Sequence, residues 1–279
     1  MQKDNELKNL VKEKYGQIAA QSLQQNSTSC CGATSCCTTN EAYTIMADDY
    51  TALEGYHADA DLGLGCGIPT EYAKIRKGDT VIDLGSGAGN DAFIARKQTG
   101  EHGKVIGIDF TEAMIEKART NADKLGFNNI EFRLGDIENI PVAENKADVV
   151  LSNCVLNLVP NKKAVFAEIH RVLKPKAHFS ISDIVLSGAL PEKLRQAAEL
   201  YAGCVSGAIQ KDEYIRIIHE TGFVNISVLK EKKISIPDEI LLQYVDAGEL
   251  KQLRKTDLGI YSITVYAEKG CCEPGSGCC

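Results

Sequence analysis

The middle of the chain alternates short apolar runs with longer segments in which apolar residues recur three and four positions apart. Short apolar runs bounded by glycine or polar residues are typical of buried strands, and the longer spacing is typical of helices. The helical pattern is clearest over 112–125 and 164–173. Strand and helix alternate in this way over about 110 residues, which predicts a parallel, doubly wound α/β sheet. The predicted strands are 80–84, 105–109, 130–134, 147–153 and 178–182.

The pattern is weaker on both sides of this core. Residues 5–20 have the spacing of a short amphipathic helix, and the Ser-, Thr-, Gln- and Cys-rich stretch 21–40 is expected to be a mobile loop. After Asp183, we predict helices near 192–202, 212–221 and 238–244, and strands near 224–229 and 260–266 that could join the sheet. The predicted units are a helix and Cys-rich arm at 1–49, a core at 50–185, an accessory region at 186–269 and a flexible tail at 270–279.

Composition and charge narrow the classes of function. The 279 residues are 44% hydrophobic and 25% charged, which is ordinary for a globular protein. Lysine and arginine number 31 against 38 acidic residues, and the net charge of −7 argues against a nucleic-acid partner. No apolar stretch approaches the roughly 18 residues of a membrane helix, and residues 1–20 lack a signal-peptide core. We therefore expect a soluble, cytoplasmic protein with no membrane partner.

The chain contains eleven cysteines, an unusual number for this composition. Adjacent cysteines do not easily bridge each other, and a chain with a large core has little need of disulfides in a reducing cytosol. The cysteines therefore indicate metal, metalloid or redox chemistry. Eight form adjacent pairs (Cys30-Cys31, Cys36-Cys37, Cys271-Cys272 and Cys278-Cys279), and Cys66, Cys154 and Cys204 stand alone.

A glycine-rich turn, Asp83-Leu-Gly-Ser-Gly-Ala-Gly-Asn90, follows the first predicted strand and opens a helix. Small residues at such a turn let the backbone approach a ligand closely. The next strand ends in Asp109, where a carboxylate can accept hydrogen bonds from both hydroxyls of a ribose. Nicotinamide cofactors and S-adenosylmethionine both present an adenosine ribose, so both remain possible at this point, as does a turn that serves packing alone.

The spacing of the glycines favours S-adenosylmethionine. A dinucleotide site calls for Gly-x-Gly-x-x-Gly, whereas Gly-x-Gly-x-Gly behind an acidic residue resembles motif I of the class I S-adenosylmethionine-dependent methyltransferases. Gly135-Asp136-Ile137 resembles the adenine-contacting turn of that class, and Asn153 lies where its catalytic loop begins. The resemblance implies a cofactor set of Asp83, Gly85, Gly87 and Asn90 on the methionine side, Asp109 on ribose, Met114, Asp136 and Ile137 around adenine, and Asn153.

The three single cysteines each have two interpretations. Cys154 ends the fourth predicted strand, at the carboxyl edge where open α/β sheets bind ligands. Cys204 lies among small residues that indicate tight packing or a turn. A cysteine buried only for packing remains an alternative at both positions. Cys66 lies in the glycine-flanked loop 62–69, where we expect it to be exposed.

Taken together, five long strings resemble the arsenite methyltransferase family over roughly residues 50–245. The resemblance implies a class I methyltransferase fold, trivalent arsenic as substrate, and Cys66, Cys154 and Cys204 as its ligands. Trivalent arsenic is soft and prefers thiolate sulfur, and its lone pair serves as the nucleophile, so no general base is needed. The strings are Leu62-Gly-Leu-Gly-Cys-Gly-Ile-Pro-Thr70, Asp83-Leu-Gly-Ser-Gly-Ala-Gly-Asn-Asp-Ala92, Ser152-Asn-Cys-Val-Leu-Asn-Leu-Val-Pro160, Ser182-Asp-Ile-Val185 and Tyr201-Ala-Gly-Cys-Val-Ser-Gly-Ala208.

The family resemblance also implies a redox step. Methylation oxidises arsenic, and an N-terminal cysteine, here Cys36 or Cys37, is expected to pair with Cys66 as the arsenic is reduced. Thioredoxin or glutathione would restore the thiols, and arsenite and methylarsonous acid would be successive substrates in arsenic detoxification. Two other functions stay open: methylation of a small organic metabolite with incidental cysteines, and binding of trivalent arsenic without catalysis.

Overall fold

The computed structural model describes residues 12–13, 15–20, 48–188, 205, 207–235, 238–242, 245–253 and 259–270. The predictions for Cys36, Cys37, Cys204, the helix near 192–202 and the C-terminal tail concern residues outside these ranges. Among the described residues, no helix combines the length and the apolar character needed to cross a membrane.

In the part of the chain that the structure describes, the fold is built on one seven-stranded sheet. Its strand order is β3-β2-β1-β4-β5-β7-β6. Strands β1 to β5 run parallel to one another, and β7 runs antiparallel to both β5 and β6. The predicted doubly wound α/β sheet is therefore confirmed. The strands are β1 (Thr80–Leu84), β2 (Lys104–Asp109), β3 (Ile130–Leu134), β4 (Ala147–Asn153), β5 (Leu173–Ser187), β6 (Phe223–Ile234) and β7 (Gly259–Lys269).

Helices connect the parallel strands except between β3 and β4, and the ends of the helices follow local sequence signals. Gly89 precedes one helix in a left-handed conformation, and Gly100 ends it by donating its N–H to Arg96. The side chain of Asn161 accepts the N–H of Ala164 and caps another helix at its N-terminus. The helices are α1 (Pro69–Tyr72), α2 (Asn90–Thr99), α3 (Glu112–Lys124), α4 (Lys162–Val172), α5 (Lys211–Glu220), α6 (Asp238–Leu241) and α7 (Ala247–Leu253), with a 3₁₀ turn at Leu156–Leu158.

Two apolar layers cover the faces of the sheet. Successive residues of a strand point to opposite faces, so Val81 and Ile82 contribute to different layers. On one face, Phe166 of α4 and Tyr214 of α5 are fully buried. On the other, Phe93 of α2 packs with small residues of α3. Because these layers cover the two faces of the sheet, the carboxyl ends of the parallel strands remain available to form a site.

Candidate functional site

The centre of the site is the point where the strand order reverses. From β1 the chain builds outward to β2 and β3, and then returns to place β4 on the other side of β1. Leu84 pairs with Ser152 in the register of β1 and β4, so the two strands end side by side. Open α/β sheets bind ligands in the crevice at such a point. A pocket of about 1100 Å³, partly open to solvent, lies there.

The glycine-rich turn after β1 combines close packing with free space. A Cβ on Gly85 would lie 2.3 Å from Val155 Cγ2, so only glycine lets the turn approach the segment after β4. Gly87 has a φ of +51°, and a Cβ there would meet no atom of the described residues within 4 Å. Because Gly87 lines the pocket, this free space belongs to the ligand side of the turn.

Two buried carboxylates flank this turn. Asp109, at the end of β2, accepts the N–H groups of Gly87 at 3.0 Å and Thr111 at 2.8 Å. Burial raises the pKa of Asp109, and these backbone hydrogen bonds act in the opposite direction. Burial, together with the charges of Asp91 and Asp109, raises the pKa of Asp83 well above its usual range. A cationic ligand would relieve this concentration of negative charge.

Among the described residues that line the pocket, four have a buried polar side-chain atom without a hydrogen-bond partner: Asp83 Oδ2, Ser86 Oγ, Asn90 Oδ1 and Thr111 Oγ1. Buried polar groups are rarely left unpaired, so unpaired acceptors indicate a ligand that supplies donors. Asp83 and Asn90 are two of the four residues predicted for the methionine side of S-adenosylmethionine. An ammonium group carries three donors and a positive charge, and it suits both acceptors.

The structure brings the whole predicted cofactor set together. The nine residues come from five separate segments of the chain, and all of them line this one pocket, as does Cys154. Aliphatic side chains complete the wall beside Cys154. The nine are Asp83, Gly85, Gly87, Asn90, Asp109, Met114, Asp136, Ile137 and Asn153.

Cys154 directly follows β4 at the edge of the pocket. It is only 4% exposed, and its N–H donates to the carbonyl of Ser182 at 2.8 Å. Its φ of +62° lies in the left-handed region, which is uncommon for a residue with a side chain. Such a conformation is found where the surrounding contacts hold a functional side chain in place.

The prediction that Cys66 is exposed is wrong, because the side chain is fully buried. The flanking glycines allow close packing rather than exposure. A Cβ on Gly65 would lie 2.7 Å from Asn153 Nδ2, and one on Gly67 would lie 2.6 Å from Ser182 Oγ. The loop is therefore packed against the end of β4 and the interior of β5. Its residues Leu64 and Gly65 line the pocket.

Cys66 and Cys154 lie in the same region of the molecule. The Cys66 N–H donates to Oδ1 of Asn153, the residue before Cys154, at 3.0 Å. Burial raises the pKa of Tyr214 well above its usual range, with Asp183 adding to the effect and both thiols contributing less. One buried phenol thus lies within electrostatic reach of both cysteines. Cys204 lies outside the described residues, and among those residues no group of three or more His, Cys, Asp and Glu side chains could hold a metal ion.

Tyr214 belongs to a buried polar network centred on Asp183. Asp183 accepts hydrogen bonds from Asn157 at 2.9 Å and from the hydroxyl of Tyr214 at 3.2 Å. Burial raises the pKa of Asp183 to about 6, and the nearby Lys162 opposes the shift. Lys162 itself donates to the carbonyl of Gly207 at 2.7 Å, which ties α4 to the segment before α5.

Several pocket residues were not predicted from the sequence. Asp91 in the first turn of α2 could have been suspected, because it directly follows the glycine motif. Tyr50 and Asp61 offered no local signal. Tyr15, in the N-terminal helical residues, also lines the pocket. The amphipathic pattern of these residues predicts a helix but does not indicate which part of the protein the helix packs against.

The N-terminal helical residues close one side of the pocket. Ile18 and Ala19 are buried in a cluster with Leu62, Ala88 and Met114. The Lys117 Nζ donates to the carbonyl of Ala19 at 2.9 Å, which fastens this segment to α3. Met114 therefore lies between the pocket and the N-terminal segment.

Comparisons with known proteins agree with this geometry. A family model described as a methyltransferase domain matches residues 75–222. A protein of Halobacterium salinarum named arsenite methyltransferase is 40% identical over 95% of this chain and 67% of the relative. The human protein of the same name is 34% identical over 86% of this chain and 64% of the relative.

A solved structure extends the likeness to three dimensions. The crystal structure of an arsenic(III) S-adenosylmethionine methyltransferase from Chlamydomonas reinhardtii matches with a TM-score of 0.61 and 35% identity, covering 76% of this chain and 68% of that chain. The present chain spans about two thirds of the length of these three proteins. It belongs to the arsenite methyltransferase family of S-adenosylmethionine-dependent enzymes with the class I methyltransferase fold.

Proposed function

We propose that this protein transfers methyl groups from S-adenosylmethionine to thiol-bound trivalent arsenic, giving monomethylated and then dimethylated products. The observation that carries the proposal is the position of Cys154, which lines the same pocket as the glycine turn and Asp109. A methyl donor and a thiol-bound acceptor would then share one cavity. Relatives named arsenite methyltransferase support arsenite as the first substrate.

The residues of the pocket suit S-adenosylmethionine, which supplies an electrophilic methyl group on a positively charged sulfur. Asp83 and Asn90 would accept hydrogen bonds from the ammonium group, and Asp109 would accept them from the ribose. Gly85 and Gly87 would leave room for the ligand against the backbone. Met114, Asp136 and Ile137 would surround the adenine, and Asn153 would define the end of the pocket nearest Cys154.

Cys66, Cys154 and Cys204 would hold the arsenic. As each thiol replaces a hydroxide on arsenic, its proton leaves with that hydroxide as water. Three sulfur ligands leave the arsenic lone pair free. This lone pair would form the new bond to the methyl carbon as the bond between that carbon and the sulfonium sulfur breaks, and neutral S-adenosylhomocysteine would leave with the electron pair of the broken bond. Arsenic has no proton to lose in that step, so the role of the protein is to position the two reactants.

Continued turnover requires two electrons, because methylation takes arsenic to the pentavalent state. We propose that two thiols supply them by closing a disulfide between Cys66 and Cys36 or Cys37. Thioredoxin or glutathione would then reopen the disulfide by thiol exchange. Both keep thiols reduced in the cytoplasm, which is the compartment we propose for the protein.

The test is incubation of the purified protein with arsenite, labelled S-adenosylmethionine and excess thiol, followed by chromatography of the products. We expect labelled methylarsenicals from the unmodified protein and from Cys278→Ser in the tail, and none from Cys154→Ser. Arsenite that binds without being methylated would instead indicate a binding protein. Cysteine-independent methylation of an organic acceptor would indicate a metabolite methyltransferase.

A further inference from the structure

A compact set of hydrogen bonds joins the cofactor pocket to the Cys66 loop. Its centre is the carboxamide of Asn153, whose Oδ1 accepts the N–H of Cys66 at 3.0 Å. Its Nδ2 lies 3.0 Å from Asp91 Oδ2, 2.9 Å from the Gly67 carbonyl and 2.6 Å from the Tyr50 hydroxyl. One side chain therefore contacts both the pocket acid and the backbone on either side of the Cys66 side chain.

Tyr50 makes a second connection between the same parts. Its hydroxyl lies 2.7 Å from the Gly67 carbonyl, and 3.1 and 3.3 Å from the two carboxylate oxygens of Asp91. Burial, reinforced by the charge of Asp91, raises the pKa of Tyr50 well above its usual range, so the phenol keeps its proton. The shortest of these contacts directs that proton to the Gly67 carbonyl.

These contacts decide how firmly the Cys66 loop is held. The hydroxyl of Ser262 on β7 donates to the Cys66 carbonyl at 2.5 Å, so both peptide groups of Cys66 have partners in other elements. The ring of Tyr50 is buried with Ile68 and Ile94, which fixes its position without the hydroxyl. The hydroxyl is thus available to hold the loop.

We propose that Tyr50, Asp91 and Asn153 form a positioning bridge, which holds Cys66 in place against the end of the cofactor pocket. The bridge rests on the proposed function for its purpose, since it would keep an arsenic ligand aligned with the methyl donor. Tyr50 is a positioning residue, because it reaches Cys66 through Gly67 and Asn153. Loss of its hydroxyl would leave buried partners without a hydrogen bond and would free the loop.

The test measures thiol accessibility without any arsenic. Tyr50→Phe keeps the buried ring and removes the hydroxyl, and Tyr72→Phe removes a hydroxyl from α1, directly after the loop, that makes none of these contacts. Each ligand-free protein is treated with iodoacetamide, and the alkylation of each cysteine is followed by peptide mass spectrometry. We expect Cys66 alkylation to rise about tenfold in Tyr50→Phe, Cys154 alkylation to change less than twofold, and Tyr72→Phe to match the unmodified protein.

A second variant and a kinetic readout separate positioning from general loosening. Asp91→Asn removes the charged acceptor and should also increase Cys66 alkylation. In arsenite assays, Tyr50→Phe should lower kcat about tenfold while the KM for S-adenosylmethionine stays within twofold. Unchanged Cys66 alkylation in both variants would overturn the bridge, as would an equal rise at Cys66 and Cys154. If Cys66 alone becomes reactive although the unmodified protein does not methylate arsenite, the bridge stands and the proposed function fails.

Discussion

The Asp109 carboxylate accepts the N–H of Gly87 at 3.0 Å, so the acid after β2 and the glycine turn after β1 form one hydrogen-bonded unit. The second oxygen of the carboxylate holds Thr111, at the start of α3. A change at Asp109 therefore acts on the shape of the pocket as well as on any ribose contact.

Asp109→Ala should weaken binding of S-adenosylhomocysteine by one to two orders of magnitude, about the effect of losing hydrogen bonds to a charged group. Isothermal titration calorimetry measures this directly. Asp123→Asn on the exposed side of α3 is the matched control and should bind normally. Undiminished binding by Asp109→Ala would show that Asp109 does not contact the ligand.

Affinity for S-adenosylmethionine should depend on pH through Asp91. Burial raises the pKa of Asp91 to about 6, with Asn153 and Tyr50 opposing the shift and Asp61 adding to it. The carboxylate forms as pH rises through this value and attracts the positive sulfonium. Affinity should therefore increase up to about tenfold from pH 5 to pH 7, and binding near pH 6 should release protons.

S-adenosylhomocysteine provides the control for that prediction, because its sulfur is uncharged. Its affinity should change much less over the same range, measured in matched buffers by calorimetry. The neighbouring acid Asp83 also has a raised pKa, so Asp91→Asn is needed to assign the effect. A pH dependence that is the same for both ligands, or that persists in Asp91→Asn, would contradict the assignment.

Alanine at Gly85 should mainly lower the stability of the protein, whereas alanine at Gly87 should mainly weaken ligand binding. At Gly85 a Cβ would lie 2.3 and 2.7 Å from the two methyl carbons of Val155, so rotation of that side chain gives no relief, and φ is +69°. We expect Gly85→Ala to lower the free energy of unfolding by about 2 to 4 kcal/mol. Gly87→Ala should cost only about 1 to 2 kcal/mol, from its left-handed backbone alone.

Gly87→Ala, although it should be the more stable of the two variants, should be impaired mainly in ligand binding. The Cβ at Gly87 enters open space beside the pocket, so Gly87→Ala should remain folded and bind S-adenosylhomocysteine poorly. Urea unfolding and calorimetry on the same two proteins give both quantities. Normal binding by a folded Gly87→Ala would mean that the ligand lies elsewhere in the cavity.

Cys66 should be needed for the first methylation more than for the second. After one methyl group is added, arsenic has one fewer position for sulfur, and we expect Cys154 and Cys204 to remain as its ligands. Cys66→Ser should therefore stop methylation of arsenite and spare methylation of methylarsonous acid. Parallel assays with the two substrates test this, and equal loss of both activities would refute the division of roles.

The sequence predicts the parallel part of the sheet well, because the apolar residues that mark each of these strands lie within the strand itself. The predicted limits of β1 and β4, 80–84 and 147–153, are the observed ones. β5, at Leu173–Ser187, is longer than the predicted 178–182, and its extension past 182 pairs with β7 as far as Ser187. That pairing joins residues about 80 positions apart, and no local pattern contains it.

The sequence indicates pocket residues where a motif carries them and gives no signal where distant segments meet. The glycine turn and Asp109 have a recognisable spacing, and both line the pocket. Tyr50 reaches Asn153 across 103 positions, and nothing in its immediate sequence marks it. The burial of Cys66 was missed for the same reason, because the partners that press against Gly65 and Gly67 come from β4 and β5.

The left-handed backbone of Cys154 places stability and activity in opposition. At this φ of +62°, the conformational free energy of glycine would be lower than that of cysteine by about 1 kcal/mol or more. Selection for stability alone would therefore favour replacement of Cys154 by glycine, which has no thiol. A search for thermostable variants of this protein should exclude position 154, where the most obvious backbone improvement would remove the proposed acceptor site.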